Sequence, residues 1–212
     1  MDAEPEQLKA TVLDTPSARV SQPRAMGESE NPMRSVYERF LAQPDTVVAE
    51  IIHGALVTSP RPASPHARAA SALGMVLGVP FDLGQGGPGG WQILDEPELQ
   101  LGEHILVPDL AGWRRARMPE LPVVPRFELA PDWICEVLSP STQAIDRADK
   151  LPIYASRGVR HAWLIEPLGQ TLEIYRLEGE RWLLLVTHRG AVTVRAEPFD
   201  ALALDLSALW IR

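Results

Sequence analysis

The sequence predicts an α/β domain, and three stretches carry that prediction. Pro131 to Pro167 (PDWICEVLSPSTQAIDRADKLPIYASRGVRHAWLIEP) reads as strand, helix, strand, a unit whose long connection implies a parallel pair with a right-handed crossover. Val47 to Val57 (VVAEIIHGALV) holds two β-rich runs joined at His53-Gly54, which fits a hairpin. After Pro167, four short β-rich runs near Thr171 to Leu177, Trp182 to Val186, Ala191 to Val194 and Ala201 to Leu204 are parted by turn signals such as Glu178-Gly179, and read as an antiparallel extension.

The 212 residues, 45% hydrophobic and 23% charged, suffice to bury one core. Residues 1–34 mix charges, prolines and small residues without periodicity and read as a mobile tail, leaving 35–212 as the domain. A net charge of −8 argues against a protein that coats nucleic acid nonspecifically. It leaves a nuclease open, because such a cleft holds acids for a metal while a few arginines meet phosphates. The single cysteine, Cys135, excludes a disulfide framework and a cysteine-based zinc site, and reads as a small core residue. No apolar run approaches the roughly 20 residues that span a bilayer, and the N-terminus lacks the basic-then-apolar order of a signal peptide, so a cytoplasmic location is expected.

Taken in order, Ser35 to Leu41 suits a short helix with Val36 and Phe40 inward and Tyr37 as a further candidate for that face. In the hairpin, Glu50 sits among apolar neighbours, either as an edge-strand acid with one wet face or as a site group. His66 to Leu77 is a helix with Ala70, Leu73 and Leu77 on one stripe, Ser64 as candidate cap and Pro65 in the first turn. His66 at its start reads first as a solvated histidine and second as a side chain leaning into a cleft. Gly84 to Gly90 has neither the lysine nor the spacing of a phosphate loop and reads as a connection. Trp91 to Leu94 and Leu99 to Val107 are strands, with Leu110 to Trp113 continuing the second beyond Pro108-Asp109. Arg114, Arg115 and Arg117 then follow Trp113, as a solvated face or as contacts to a phosphate backbone. Met118 to Pro131, with repeated prolines, is a loop.

Trp133 to Leu138 is apolar on both faces except for Glu136, and a buried carboxylate needs a proton, a cation or an opening to water. Ser139 to Thr142 ends the strand and offers oxygens to cap the helix. Pro152 implies a helix broken near Leu151 or one whose body starts near Asp149, so Lys150 lies near a helix start; Gly158 ends it. Two carboxylates on neighbouring strands, Asp109 and Glu136, can hold a hard divalent cation, Mg²⁺ or Mn²⁺. Lys150, the only lysine after Lys9, is the candidate cation for the crowded phosphate.

Pro108-Asp109, the run Glu136-Val137-Leu138-Ser139-Pro140-Ser141-Thr142, and then Asp146, Lys150, Tyr154, Gly158-Val159 and Trp163 resemble the Uma-two family of restriction-endonuclease-like proteins, in the PD-(D/E)XK nuclease superfamily. The resemblance covers about Ser35 to Leu204. It implies a restriction-endonuclease-like core of helix, three strands, helix, strand, with Asp109 and Glu136 as metal ligands. The superfamily pattern places lysine two residues after the second acid, where this chain has Leu138, and the resemblance implies that Lys150 supplies that charge from the following helix.

The reading is a Mg²⁺-dependent endonuclease acting on DNA, with Asp109, Glu136 and Lys150 at its centre and Glu50 and His66 as further candidates. Arg114, Arg115 and Arg117 are the candidate nucleic-acid contacts, and the antiparallel extension is a candidate surface for a homodimer. The alternative is a nuclease-like fold kept as a nucleic-acid or protein binding module without turnover, motivated by the net negative charge and by Leu138.

Overall fold

The computed structural model describes residues 32–210, so the tail expected over 1–34 lies almost wholly outside the described residues. The first elements are helix α1 (Pro32–Leu41), strands β1 (Val47–Ile52) and β2 (Ala55–Pro60), helix α2 (Ser64–Leu77) and strand β3 (Trp91–Asp95). The hairpin turns at His53 and Gly54, whose φ values of 50° and 73° give the two-residue turn that suits a twisted antiparallel pair. In α2, Ser64 is the first helical residue and not the cap. Ala63 holds the cap position without a side-chain bond, and Pro65 occupies the first turn.

The run from Leu99 to Val107 departs from the single strand expected. Gly102, at φ 69°, lets the chain fold back into β4 (Leu99–Leu101) and β5 (His104–Leu106). β5 pairs with β1, and the four strands form a sheet in the order β2-β1-β5-β4. β1 is therefore an inner strand, and Glu50 is buried on it, which removes the edge-strand reading of that acid. Leu110 does not continue this sheet. Pro108, with no N–H to donate, stops the ladder, and after Asp109 the chain enters a second sheet as β6 (Leu110–Arg114).

That second sheet also contains β7 (Trp133–Val137), β8 (His161–Glu166), β9 (Thr171–Glu178) and β10 (Arg181–Arg189), in the order β10-β9-β8-β7-β6-β3. The β7 and β8 pair is parallel, as the strand, helix, strand pattern requires, and the other pairs are antiparallel. Two shorter strands, β11 (Thr193–Val194) and β12 (Leu204–Asp205), pair apart from it, so only two of the four C-terminal runs extend the main sheet.

Between β7 and β8 the chain is helical from Gln143 to Ser156, as α3 (Gln143–Ile145), a wide π turn at Asp146–Lys150, and α4 (Leu151–Ser156). Pro152 lies in the first turn of α4, and the Leu151 N–H reaches back to the Asp146 carbonyl. The helix is thus widened ahead of Pro152 rather than broken, and Lys150 sits on that widened turn. Gly158, at φ 74°, ends the helix.

Alternation along β7 sorts the core. Trp133, Cys135 and Val137 face α2 and the C-terminal segment, where Phe199 meets the rings of Trp91, Trp133 and Trp163 at 4.8, 4.9 and 5.6 Å. Ile134 and Leu138 face α4 and pack with Tyr154 and Leu164. Glu136, between them on the same face, is aimed beneath the widened turn. Among the described residues, no helix is long and apolar enough to cross a membrane.

Candidate active site

Three elements converge where β7 ends. Register sets Leu110 opposite Cys135, so Asp109, one residue before β6, falls beside Glu136. The π turn hangs Lys150 over the same spot, and β1 brings Glu50 from the first sheet. A cavity of about 250 Å³ is lined by Glu50, His66, Asp109, Glu136, Asp146 and Lys150 together with the Ser139–Thr142 loop. Ser139 organises that loop, with its Oγ 2.9 Å from Ser141 Oγ and 3.0 Å from Thr142 Oγ1.

Lys150 is 3% exposed, and its Nζ lies 2.9 Å from Glu136 Oε1, 3.0 Å from Glu50 Oε1 and 3.6 Å from Asp146 Oδ1. It also donates to the Val107 carbonyl at 3.3 Å. Tyr154 donates to Glu136 Oε1 at 2.7 Å, and the Val107 N–H donates to Glu50 Oε1 at 2.8 Å. Burial alone would lower the Lys150 pKa, but Glu136 and Glu50 beside it hold it well above the usual lysine range. Burial pushes Glu136 well above the usual carboxylate range, with Lys150 pulling the other way, and raises Asp146 against the same pull. One ammonium faces three carboxylates, so the cluster keeps its lysine proton while burial works against full ionisation of the acids around it.

Asp109 accepts from the Val137 N–H through Oδ2 at 2.6 Å, and its Oδ1 lies 3.3 Å from His66 Nε2. Burial raises its pKa to about 7, with the Val137 bond and Lys150 opposing and Asp146 and Glu96 adding to the rise. His66 is not the solvated histidine of the first reading: its side chain is 15% exposed, and burial lowers its pKa. Its Nδ1 is buried without a hydrogen-bond partner among the described residues.

Leu138 lies two residues beyond Glu136 on the same strand face and is 3% exposed in the apolar core under α4. A lysine there would enter hydrocarbon, whereas Lys150 approaches Glu136 from the helix above. The three arginines lie elsewhere. β6 advances by roughly 3.3 Å per residue, which puts Arg114 roughly 17 Å from Asp109. Arg114 stacks over the Trp91 ring at 4.5 Å, Arg115 pairs with Asp82 at 2.7 Å and Arg117 with Asp132 at 3.0 Å, and none lines the cavity. Sequence reasoning gave no role to Asp146 or Tyr154, although i, i+4 spacing with Lys150 marks both, and it passed over Arg61 and Glu96 at the cavity mouth.

Among the described residues, no group of three or more His, Cys, Asp or Glu is arranged to hold a metal ion. The neighbouring Asp109 and Glu136 still offer the hard oxygens that suit a magnesium ion, which keeps most of its waters and takes few protein ligands.

Comparison with known proteins bears on the same residues. No curated protein matches the chain. A crystal structure described as a "putative nuclease" from Anabaena variabilis superposes with a TM-score of 0.65 at 24% identity, covering 82% of this chain and 96% of that one, and shows the shared fold. Residues 36–207 match the family Uma2, described as "Putative restriction endonuclease". Because that match runs from α1 to beyond β12 and takes in every acid of the cavity, the chain belongs to the Uma2 family, with a restriction-endonuclease-like core of helix, three strands, helix and strand.

Proposed function

We propose that the chain is a Mg²⁺- or Mn²⁺-dependent endonuclease that hydrolyses phosphodiester bonds of DNA. The observation that carries this reading is the meeting of Asp109, Glu136 and Lys150, distant in sequence, around one cavity open to solvent. Asp109 and Glu136 would hold the ion: they sit side by side at one end of the β6 and β7 pair, and burial disfavours leaving either charge without a cation. When bound, the ion polarises the phosphodiester and lowers the pKa of an attacking water.

The chain's own groups do the rest. Tyr154 and Lys150 both bond Glu136 Oε1, which fixes the carboxylate's orientation. Glu50 and Asp146 hold the Lys150 ammonium in place, where its charge lies close enough to the acids to stabilise a phosphate gaining negative charge. His66, with Nε2 3.3 Å from Asp109 Oδ1, steadies that carboxylate for the ion. Hydrolysis forms a bond from water oxygen to phosphorus and breaks the bond to one ester oxygen, with the water's proton passing to solvent and the leaving oxygen taking up a proton from solvent.

The binding-module reading draws on Leu138, and the 2.9 Å approach of Lys150 to Glu136 weighs against it. The test is nicking of supercoiled plasmid by the purified chain in Mg²⁺ or Mn²⁺, stopped by EDTA. Asp109→Asn and Glu136→Gln should each abolish nicking with the fold retained. Cleavage that survives both substitutions sinks the proposal, and DNA binding without cleavage in any divalent ion favours the module.

A further inference from the structure

A phosphate approaching the acid cavity meets few cations. Among the described residues lining it there is one lysine, enclosed by Glu50, Glu136 and Asp146, and one arginine, Arg61, at the mouth. Arg61 also lines a second cavity of about 280 Å³, and the two cavities share Val48, Arg61, Glu96 and Val107 as a common wall. The second leads toward Arg126, which is held by Glu98 at 2.7 Å and by the Tyr37 hydroxyl at 2.9 Å.

The Arg61 guanidinium is already oriented. Its Nε and Nη2 donate to the Asp45 carbonyl at 3.3 and 3.1 Å, and its Nη1 donates to Glu96 Oε2 at 2.7 Å. Glu96 is unusual in its own right. It is a non-glycine residue at φ 43°, a left-handed backbone that costs an ordinary side chain energy and persists where the surroundings hold it. What holds it is the site: the Glu96 N–H donates to the Asp109 carbonyl at 3.1 Å. The strained backbone thus fixes an acid next to Asp109 and aims its carboxylate at the one arginine of the cavity. A carboxylate on guanidinium makes the same charge-assisted contact as a phosphate oxygen.

Resting on the nuclease reading, we propose that Arg61 is the residue that grips the polynucleotide backbone at the cleft, and that Glu96 occupies its guanidinium until a phosphate replaces it. The strand then runs from the acid cavity along the shared wall toward Arg126. Glu96 acts as a latch: it keeps Arg61 extended in the free chain and, being negative, resists anions that cannot compete for the guanidinium.

The experiment measures binding of a short fluorescein-labelled DNA duplex to the full chain by anisotropy, in Ca²⁺ in place of Mg²⁺, across a salt series. Arg61→Ala should weaken binding about tenfold, the usual scale of a charged phosphate contact, and flatten the salt dependence by about one phosphate. Arg61→Lys should recover part of the loss. Glu96→Gln, which keeps the backbone and removes the competing charge, should tighten binding about threefold, within the range of an exposed ion pair. Both side chains are partly exposed, and matching thermal melts will show that the variants fold. If wild-type binding is unmoved by both substitutions, or Glu96→Gln weakens it, the latch is overturned while plasmid cleavage dependent on Asp109 leaves the nuclease reading standing. If the wild-type chain neither binds the duplex nor cuts plasmid, the reading fails and the latch with it.

Discussion

Asp109 and Asp132 stand at opposite ends of the β6 and β7 pair and make the same move. Each precedes a strand by one residue and accepts a backbone N–H from the neighbouring strand, Asp109 from Val137 at 2.6 Å and Asp132 from Arg114 at 2.9 Å. What differs is the second partner. Asp132, 1% exposed, also takes the Arg117 guanidinium at 3.0 Å. Asp109 has His66, whose pKa burial lowers, and its own pKa rises to about 7. The same local geometry therefore yields a satisfied structural acid at one end and an acid short of positive charge at the other. Asp132 has the Arg117 guanidinium as a fixed partner, whereas among the described residues Asp109 has no lysine or arginine within ion-pair distance, the role that the proposed metal ion would fill.

The sharpest way to break this comparison is to neutralise each acid in turn. Asp109→Asn should lower plasmid cleavage by roughly a thousandfold, the scale on which a directly acting electrostatic group is felt. Asp132→Asn should leave cleavage within about threefold and instead reduce stability by about 1 to 3 kcal/mol, because Arg117 loses its charged partner and a buried bond weakens. Equal effects of the two on cleavage would dissolve the distinction.

Lys150→Met tests whether one ammonium holds the three acids together. Removing it strands three buried carboxylates, and urea unfolding near neutral pH should show a loss of about 3 to 5 kcal/mol. The loss should shrink as pH falls and the carboxylates take up protons.

A smaller effect follows from the Asp109 titration. Its folded pKa, about 7, lies above the usual 3.8, so between those values the folded state holds more protons than the unfolded one and stability falls as pH rises. Urea midpoints at about pH 5 and about pH 8 should therefore differ less in Asp109→Asn than in the wild-type chain, whose stability this acid lowers at the higher pH. The smallest change is Tyr154→Phe, which removes one bond to Glu136 and should cost about 1 kcal/mol, with a few-fold weaker response of cleavage to Mg²⁺ in a metal titration.

Much of the frame was legible in the chain. The His53-Gly54 turn, the helix that buries Leu73 and Leu77, and the apolar runs on either side of the Ser139–Thr142 loop are local signals, and each took the form its residues prescribe. The misreadings share one cause. Leu99 to Val107 looks continuous because a single glycine is weak punctuation, and Glu50 stays open between an edge acid and a site group because nothing near it reveals that β5 returns to cover β1. His66 reads as solvated for the same reason: Asp109, 3.3 Å from its Nε2, lies more than forty positions away in the chain.

By itself, then, the sequence determined the alternation of strands and helices, the isolation of Glu136 in an apolar run, and the scarcity of lysine that singled out Lys150. Only the tertiary structure decided which acids share that lysine, that Leu138 belongs to the core, and that Arg61 rather than a distant arginine borders the acids. The division has a physical origin. Periodicity and turn chemistry act between residues a few positions apart, whereas the charge state of a carboxylate depends on every group within several ångströms, and that neighbourhood is assembled from strands that the chain order does not set side by side.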